Sequence, residues 1–141
     1  MKQLLLIACS IIGIATTSCS QKLKVPDAVT KAFNSKYPGA SDVKWGKESA
    51  KEYEAEFKLN GNNVSANFGT DGAWVETETS IKINDLPVAV VDAIKKKYPG
   101  AVITTAEKLE ERGDKLLYET VIKVNGKKKT LELKADGSAA K

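Results

Sequence analysis

Lys36-Tyr37-Pro38-Gly39-Ala40 recurs unchanged as Lys97-Tyr98-Pro99-Gly100-Ala101, 61 positions on. Each copy ends an amphipathic stretch. Upstream of the first, Val25, Val29, Ala32, Phe33 and Tyr37 fall on one helical stripe. Upstream of the second, Leu86, Val90, Ala93, Ile94 and Tyr98 repeat that stripe. Pro26 and Pro87 suit a first helical turn, where a missing N–H costs nothing, and Asp27 complements the positive end of the dipole. Pro38 disfavours helical geometry at Tyr37, and Gly39 lets the chain turn. The pentapeptide therefore reads as a helix stop that drops a tyrosine onto the core, with the first helix spanning roughly Pro26 to Lys36.

Beyond each stop the period changes to two. Tyr53, Ala55, Phe57 and Leu59 alternate with Glu52, Glu54, Glu56 and Lys58, as in half-buried antiparallel strands. Asn60-Gly61-Asn62 marks a hairpin, because both residue types tolerate positive φ. A third strand carries Val64, Ala66 and Phe68 inward, and Thr70-Asp71-Gly72 makes the next turn. A fourth is expected over Ala73 to Ile83, with Ala73, Val75, Thr77, Thr79 and Ile81 on one face and Trp74, Glu76, Glu78 and Ser80 on the other.

The second unit follows the same plan: Tyr118 to Gly126 aligns with Tyr53 to Gly61, and Asp136-Gly137 with Asp71-Gly72, at an offset of 65. Four extra residues between Thr104 and Lys115 lengthen its first hairpin, while Ser138 to Lys141 is too short to match the whole fourth strand. Residues 25–84 and 85–141 are thus two copies of a helix followed by strands. Each copy is too small to be comfortable alone, so the two are expected to fold as one α+β body. Both helices would pack on the dry face of an antiparallel sheet, leaving the other face open.

Residues 1–18 read as an export signal: Met1-Lys2-Gln3, then an apolar run from Leu4 to Ala15 that is too short to span a bilayer, then small polar residues. Thr17-Ser18-Cys19 resembles a lipobox, although Thr16 stands where that pattern usually has leucine. Lipidation of Cys19 would anchor the chain to a membrane through a tether over residues 19–24. The competing reading is a Ser18-Cys19-Ser20 site for ordinary signal peptidase. Either way the chain is expected in the periplasm, and the mature domain has no cysteine to pair, since Cys9 is discarded and Cys19 is acylated or lost.

Composition excludes much chemistry. The chain has no histidine, which with the missing thiol removes His-based acid/base work, thiol nucleophiles and the usual transition-metal ligands. The net charge of +4 is made of interspersed acids and bases. Lys95-Lys96-Lys97 and Lys127-Lys128-Lys129 read as a solvated helix face and a hairpin strand, and nucleic acid is not expected as a partner. No cofactor, metal site or enzyme activity is expected.

Leu/Val-Pro-x-x-Val-x-x-Ala-Phe/Ile, Lys-Tyr-Pro-Gly-Ala, the Tyr-x-x-x-Phe/Ile-x-Leu/Val-Asn-Gly hairpin and the closing Asp-Gly together resemble the PepSY-like, beta-lactamase-inhibitor-like family of exported Bacteroidetes proteins. The likeness runs from Val25 to Gly137. It implies a tandem helix-plus-sheet fold in the envelope and brings no catalytic residue with it, since a fold does not carry a function.

The candidate contacts are Trp74, Glu52, Glu54, Glu56, Glu76 and Glu78, all expected on the open face, where an exposed indole among charges would anchor a partner. The opposed expectation is that the lengthened hairpin or the C-terminal tail covers Trp74. The leading functional reading is a non-enzymatic envelope module that binds a protein or peptide across this face. The alternatives are a small-ligand or cation sensor using the same carboxylates, or a lipid-tethered spacer.

Overall fold

The computed structural model describes residues 23–140. The proposed signal segment and Cys19 lie outside the described residues. The order is α1 (Asp27–Lys36), β1 (Ser41–Ser49), β2 (Glu52–Leu59), β3 (Asn62–Gly69), β4 (Trp74–Ser80), a 3-10 turn (Ile83–Asp85), α2 (Val88–Lys97), β5 (Val102–Glu111), β6 (Lys115–Val124) and β7 (Lys127–Leu133). The strands form one seven-stranded sheet in sequence order, antiparallel at every step. Helix, three hairpin-linked strands and a fourth segment make up each unit, as expected. The extra residues lengthen the second unit's first hairpin, whose strands have ten residues each against nine and eight in the first.

Both helices begin and end in the same way. Pro26 and Pro87 stand at the N-caps without a side-chain cap, and their carbonyls accept the first amide bonds, from Val29 (3.0 Å) and Val90 (3.0 Å). Tyr37 and Tyr98 close the last turns through N–H bonds to Phe33 and Ile94 carbonyls, each 2.8 Å. The following proline cannot continue the helix.

Two cores lie under the helices. Val29, Phe33 and Tyr37 pack on Tyr53, Ala55, Phe57, Val64, Ala66 and Phe68. Leu86, Val90 and Ile94 pack on Ala106 and Ile122. In the first core Phe33 is the hub, its ring 5.0 Å from Phe57, 5.2 Å from Trp45, 5.5 Å from Tyr37 and 6.2 Å from Phe68. Tilted and edge-to-face pairs of this kind add about 0.5–1.5 kcal/mol each beyond the buried area. Tyr98 and Tyr118, expected in the core like Tyr37 and Tyr53, are only half-buried.

The repeated Asp-Gly turns clamp hairpin to helix. Asp71 accepts the Ala73 N–H (3.0 Å) and Asp136 the Ser138 N–H (2.9 Å). Gly72 and Gly137 have φ +83 and +82, and a Cβ on either would strike the carbonyl of Ala28 or Ala89 in the first turn of the helix above. Glycine is required twice over, by backbone conformation and by close approach.

Candidate functional site

Antiparallel pairing carries one row of side chains across the face that no helix covers. Glu56 faces Ser65 and Glu54 faces Asn67 on β3. Those residues face Glu78 and Glu76 on β4. Glu107 on β5 sits opposite Ser80 on one side and Glu119 on the other, and Glu119 faces Glu132 on β7. Five adjacent strands, β1 to β5, line a depression of about 460 Å³ that includes Lys44, Glu54, Glu56, Lys58, Glu78 and Glu107. Lys44, opposite Glu56, and Lys58 line its β1–β2 side, and Lys115 stands at the far hairpin. Among the described residues the ion pairs are Lys108–Glu110, on the helix side, and Lys115–Glu111, at the rim, each 2.8 Å. The central carboxylates have none.

Such crowding shows in their protonation. Burial pushes the Glu78 carboxyl up to about 7, with Glu107, Glu119, Glu76 and Glu54 adding repulsion from four strands. Glu54 is raised by burial and then by Glu48 and Glu56, and Glu119 by burial and then by Glu107 and Glu132. Each group is partly withdrawn from water beside like charges, so its anion is the disfavoured form. The Asn67 amide donates to Glu76 Oε1 at 2.8 Å. Leu109 and Leu117 lie beyond Glu78 on the same face, almost fully buried, and give it an apolar end.

Of the six residues expected here, Glu54, Glu56, Glu76 and Glu78 come together. Glu52 lies at the strand end, in a second depression with Glu76, Glu111 and Arg112. Trp74 is not on this face, which corrects the expectation. Phe68 pairs with Trp74 while its neighbour Asn67 pairs with Glu76, so β4 carries one extra residue at Val75 and the side-chain alternation slips by one. Trp74 therefore shares the helix side with Thr77. Its indole N–H donates to Thr77 Oγ1 at 2.8 Å, and the Lys36 ammonium lies 4.0 Å from its ring. Tyr37 O–H also bonds Thr77 Oγ1, and burial raises the phenol above its usual range. The lengthened hairpin reaches the bulge through a side chain, Arg112 Nε donating to the Trp74 carbonyl.

Glu119 was not singled out from the sequence, and Glu107 only as part of the insertion between Thr104 and Lys115. Glu119 had a signal, since it is the repeat counterpart of Glu54. Glu107 faces Glu119 as Gly46 faces Glu54, so nothing in the first unit pointed to it.

A family described as "Putative beta-lactamase-inhibitor-like, PepSY-like" matches residues 18–61 and 51–138. The chain belongs to this PepSY-like family. Two matches within one chain agree with the internal duplication. Among solved structures, a BLIP-like protein from Bacteroides fragilis is 26% identical, with TM-score 0.75 over 86% of each chain. A DUF2874 family protein from Bacteroides ovatus is 23% identical, with TM-score 0.76 over 85% of this chain and 87% of that one. A protein from Bacteroides eggerthii described as periplasmic is 22% identical, with TM-score 0.74 over 84% and 87%. Curated proteins give no match. The PepSY-like relatives share the fold, and their descriptions name no reaction.

Proposed function

We propose that this PepSY-like chain is a non-enzymatic envelope module whose open sheet face receives a cationic protein or peptide segment. The observation that carries the reading is the convergence of Glu54, Glu78, Glu107 and Glu119 from four strands onto one helix-free face, half-withdrawn from water and without cationic partners among the described residues. Holding such a row together costs stability, and a bound Lys- or Arg-rich segment would relieve that cost. The periplasm and a lipid anchor on Cys19 belong to the same proposal, supported by the lipobox-like Thr17-Ser18-Cys19 and by the relative described as periplasmic.

Fluorescence anisotropy with a Lys/Arg-rich decapeptide and an acidic one of the same length tests the face. The cationic peptide should bind, and Glu54→Gln/Glu78→Gln/Glu119→Gln should weaken it by about tenfold or more, as should salt that shortens the Debye length below about 8 Å. Trp74→Phe should leave binding unchanged. Equal binding of both peptides, or an unaffected triple variant, overturns the reading. Intact-mass measurement of the exported chain tests the anchor: an unmodified N-terminus at Gln21 removes it.

A further inference from the structure

The second unit repeats the closing turn of the first in detail. Lys134 N–H bonds the Ser138 carbonyl at 2.8 Å as Gly69 N–H bonds Ala73, and Gly137 N–H bonds Lys134 at 2.9 Å as Gly72 bonds Gly69. Leu133 then bridges Ala139 where Phe68 pairs with Trp74. From this point the units part. In the first, β4 continues along β3 through Glu76, Thr77, Glu78 and Thr79. In the second, the described residues cover the outer edge of β7 only by the Leu133–Ala139 bridge and the Ala140 N–H to the Glu132 carbonyl, 3.0 Å.

The Glu132 carbonyl points outward, so antiparallel alternation turns the N–H and C=O of Thr130 and Lys128 outward as well. Beside that edge, Tyr98, Val121, Lys128, Lys129, Thr130 and Leu131 line a depression of about 530 Å³. Tyr98 is the counterpart of Tyr37. Tyr37 is buried against β4 and bonded to Thr77, whereas Tyr98 is half-exposed, with the ammonium groups of Lys97 and Lys129 each 5.6 Å from its ring. What the first unit has, and the second lacks among the described residues, is a strand that satisfies this edge and covers this tyrosine.

We propose that the outer edge of β7 is a strand acceptor for an extended acidic segment of a partner protein, which adds antiparallel to β7 as β4 adds to β3. The residue opposite Leu131 would sit under Tyr98, as Thr77, opposite Ala66, sits by Tyr37. The charge of the guest follows from its neighbours. Lys127, Lys128, Lys129 and Lys97 stand along or beside the edge against the one carboxylate of Glu132, and lysines there oppose edge-to-edge pairing and cationic strands while attracting carboxylates. A second copy is disfavoured, because the edges it would offer, β1 and β7, carry Lys44 and Lys47 or Lys127, Lys128 and Lys129. This surface is separate from the acidic open face, and either can fail without the other.

The test titrates the isotope-labelled chain with a peptide of its own β4 sequence, residues 73–82, and follows backbone amide shifts. Saturable shifts confined to β7 and Tyr98 are expected. Thr130→Pro removes an outward N–H without breaking the β6 ladder and should weaken binding by about tenfold. Lys128→Glu/Lys129→Glu leaves the backbone intact and should weaken it comparably, which keeps the test open if the proline variant fails to fold. A peptide with both glutamates changed to lysine should bind least. No shifts at millimolar peptide, equal binding of a scrambled peptide, or indifference to both variants overturns the proposal. So does self-association in the ultracentrifuge that Thr130→Pro abolishes, because the edge would then belong to a second copy.

Discussion

The two units share a backbone plan and differ in what fills it. Phe33, Trp45, Phe57, Phe68 and Trp74 in the first correspond to Ile94, Ala106, Ile122, Leu133 and Ala139 in the second. The first core is a lattice of rings around Phe33, and the second is aliphatic, with its tyrosines half-open to solvent. Duplication preserved what the geometry cannot do without: the proline at the helix start, the tyrosine at its end and the Asp-Gly clamp. Volume was free to diverge because each helix rests on its own strands, and the units join mainly through β4 and β5.

This division of labour can be broken at its hub. Phe33→Ala should cost about 3–5 kcal/mol, since the ring leaves a cavity among four aromatic neighbours, and Ile94→Ala about 2–4 kcal/mol in the looser second core. Urea unfolding of both variants measures the difference. Equal costs would mean that the aromatic lattice adds nothing beyond its area.

The glycine clamps give the next largest effect. Gly72→Ala should cost about 2–4 kcal/mol from strained φ and a clash with the Ala28 carbonyl. Gly137→Ala meets the same obstacle at Ala89, but its turn leads into a short terminal segment that can move aside, so a smaller loss of melting temperature is expected. A larger loss at Gly137 would reverse the order of the two units.

Glu78 gives the smallest effect and the most specific one. It sits at the junction, and its carboxyl titrates at about 7 instead of near its usual value of 4.5. The folded chain therefore binds a proton more tightly than the unfolded chain, so stability declines as pH rises from about 4.5 to about 7. With allowance for solvent screening at this half-exposed group, the decline is on the order of 1–2 kcal/mol. Glu78→Gln should raise the melting temperature at pH 8, leave it unchanged at pH 4, and flatten the curve between. Parallel curves for variant and wild type would show that the crowding of the face does not act through Glu78.

Much of this was legible in the chain itself. Periodicities of 3.6 and 2, proline and glycine punctuation, and the recurring pentapeptide determine two helices, the hairpins and their duplication, because these signals act within a few residues. The carboxylates of β2 and β4 could be assigned to one face because alternation is local too. Three things were decided only by tertiary structure. The bulge at Val75 arises from how β4 meets β3, and it moves Trp74 from the open face to the helix side, a slip that no pattern within β4 encodes. The approach of Glu107 and Glu119 to Glu78 depends on how the second unit's hairpin joins the first, so the acidic face belongs to the pair of units together. The pentapeptide's two tyrosines read alike in sequence; one is buried and bonded to Thr77 and the other stands beside an open edge, because among the described residues only the first has a fourth strand packed against it.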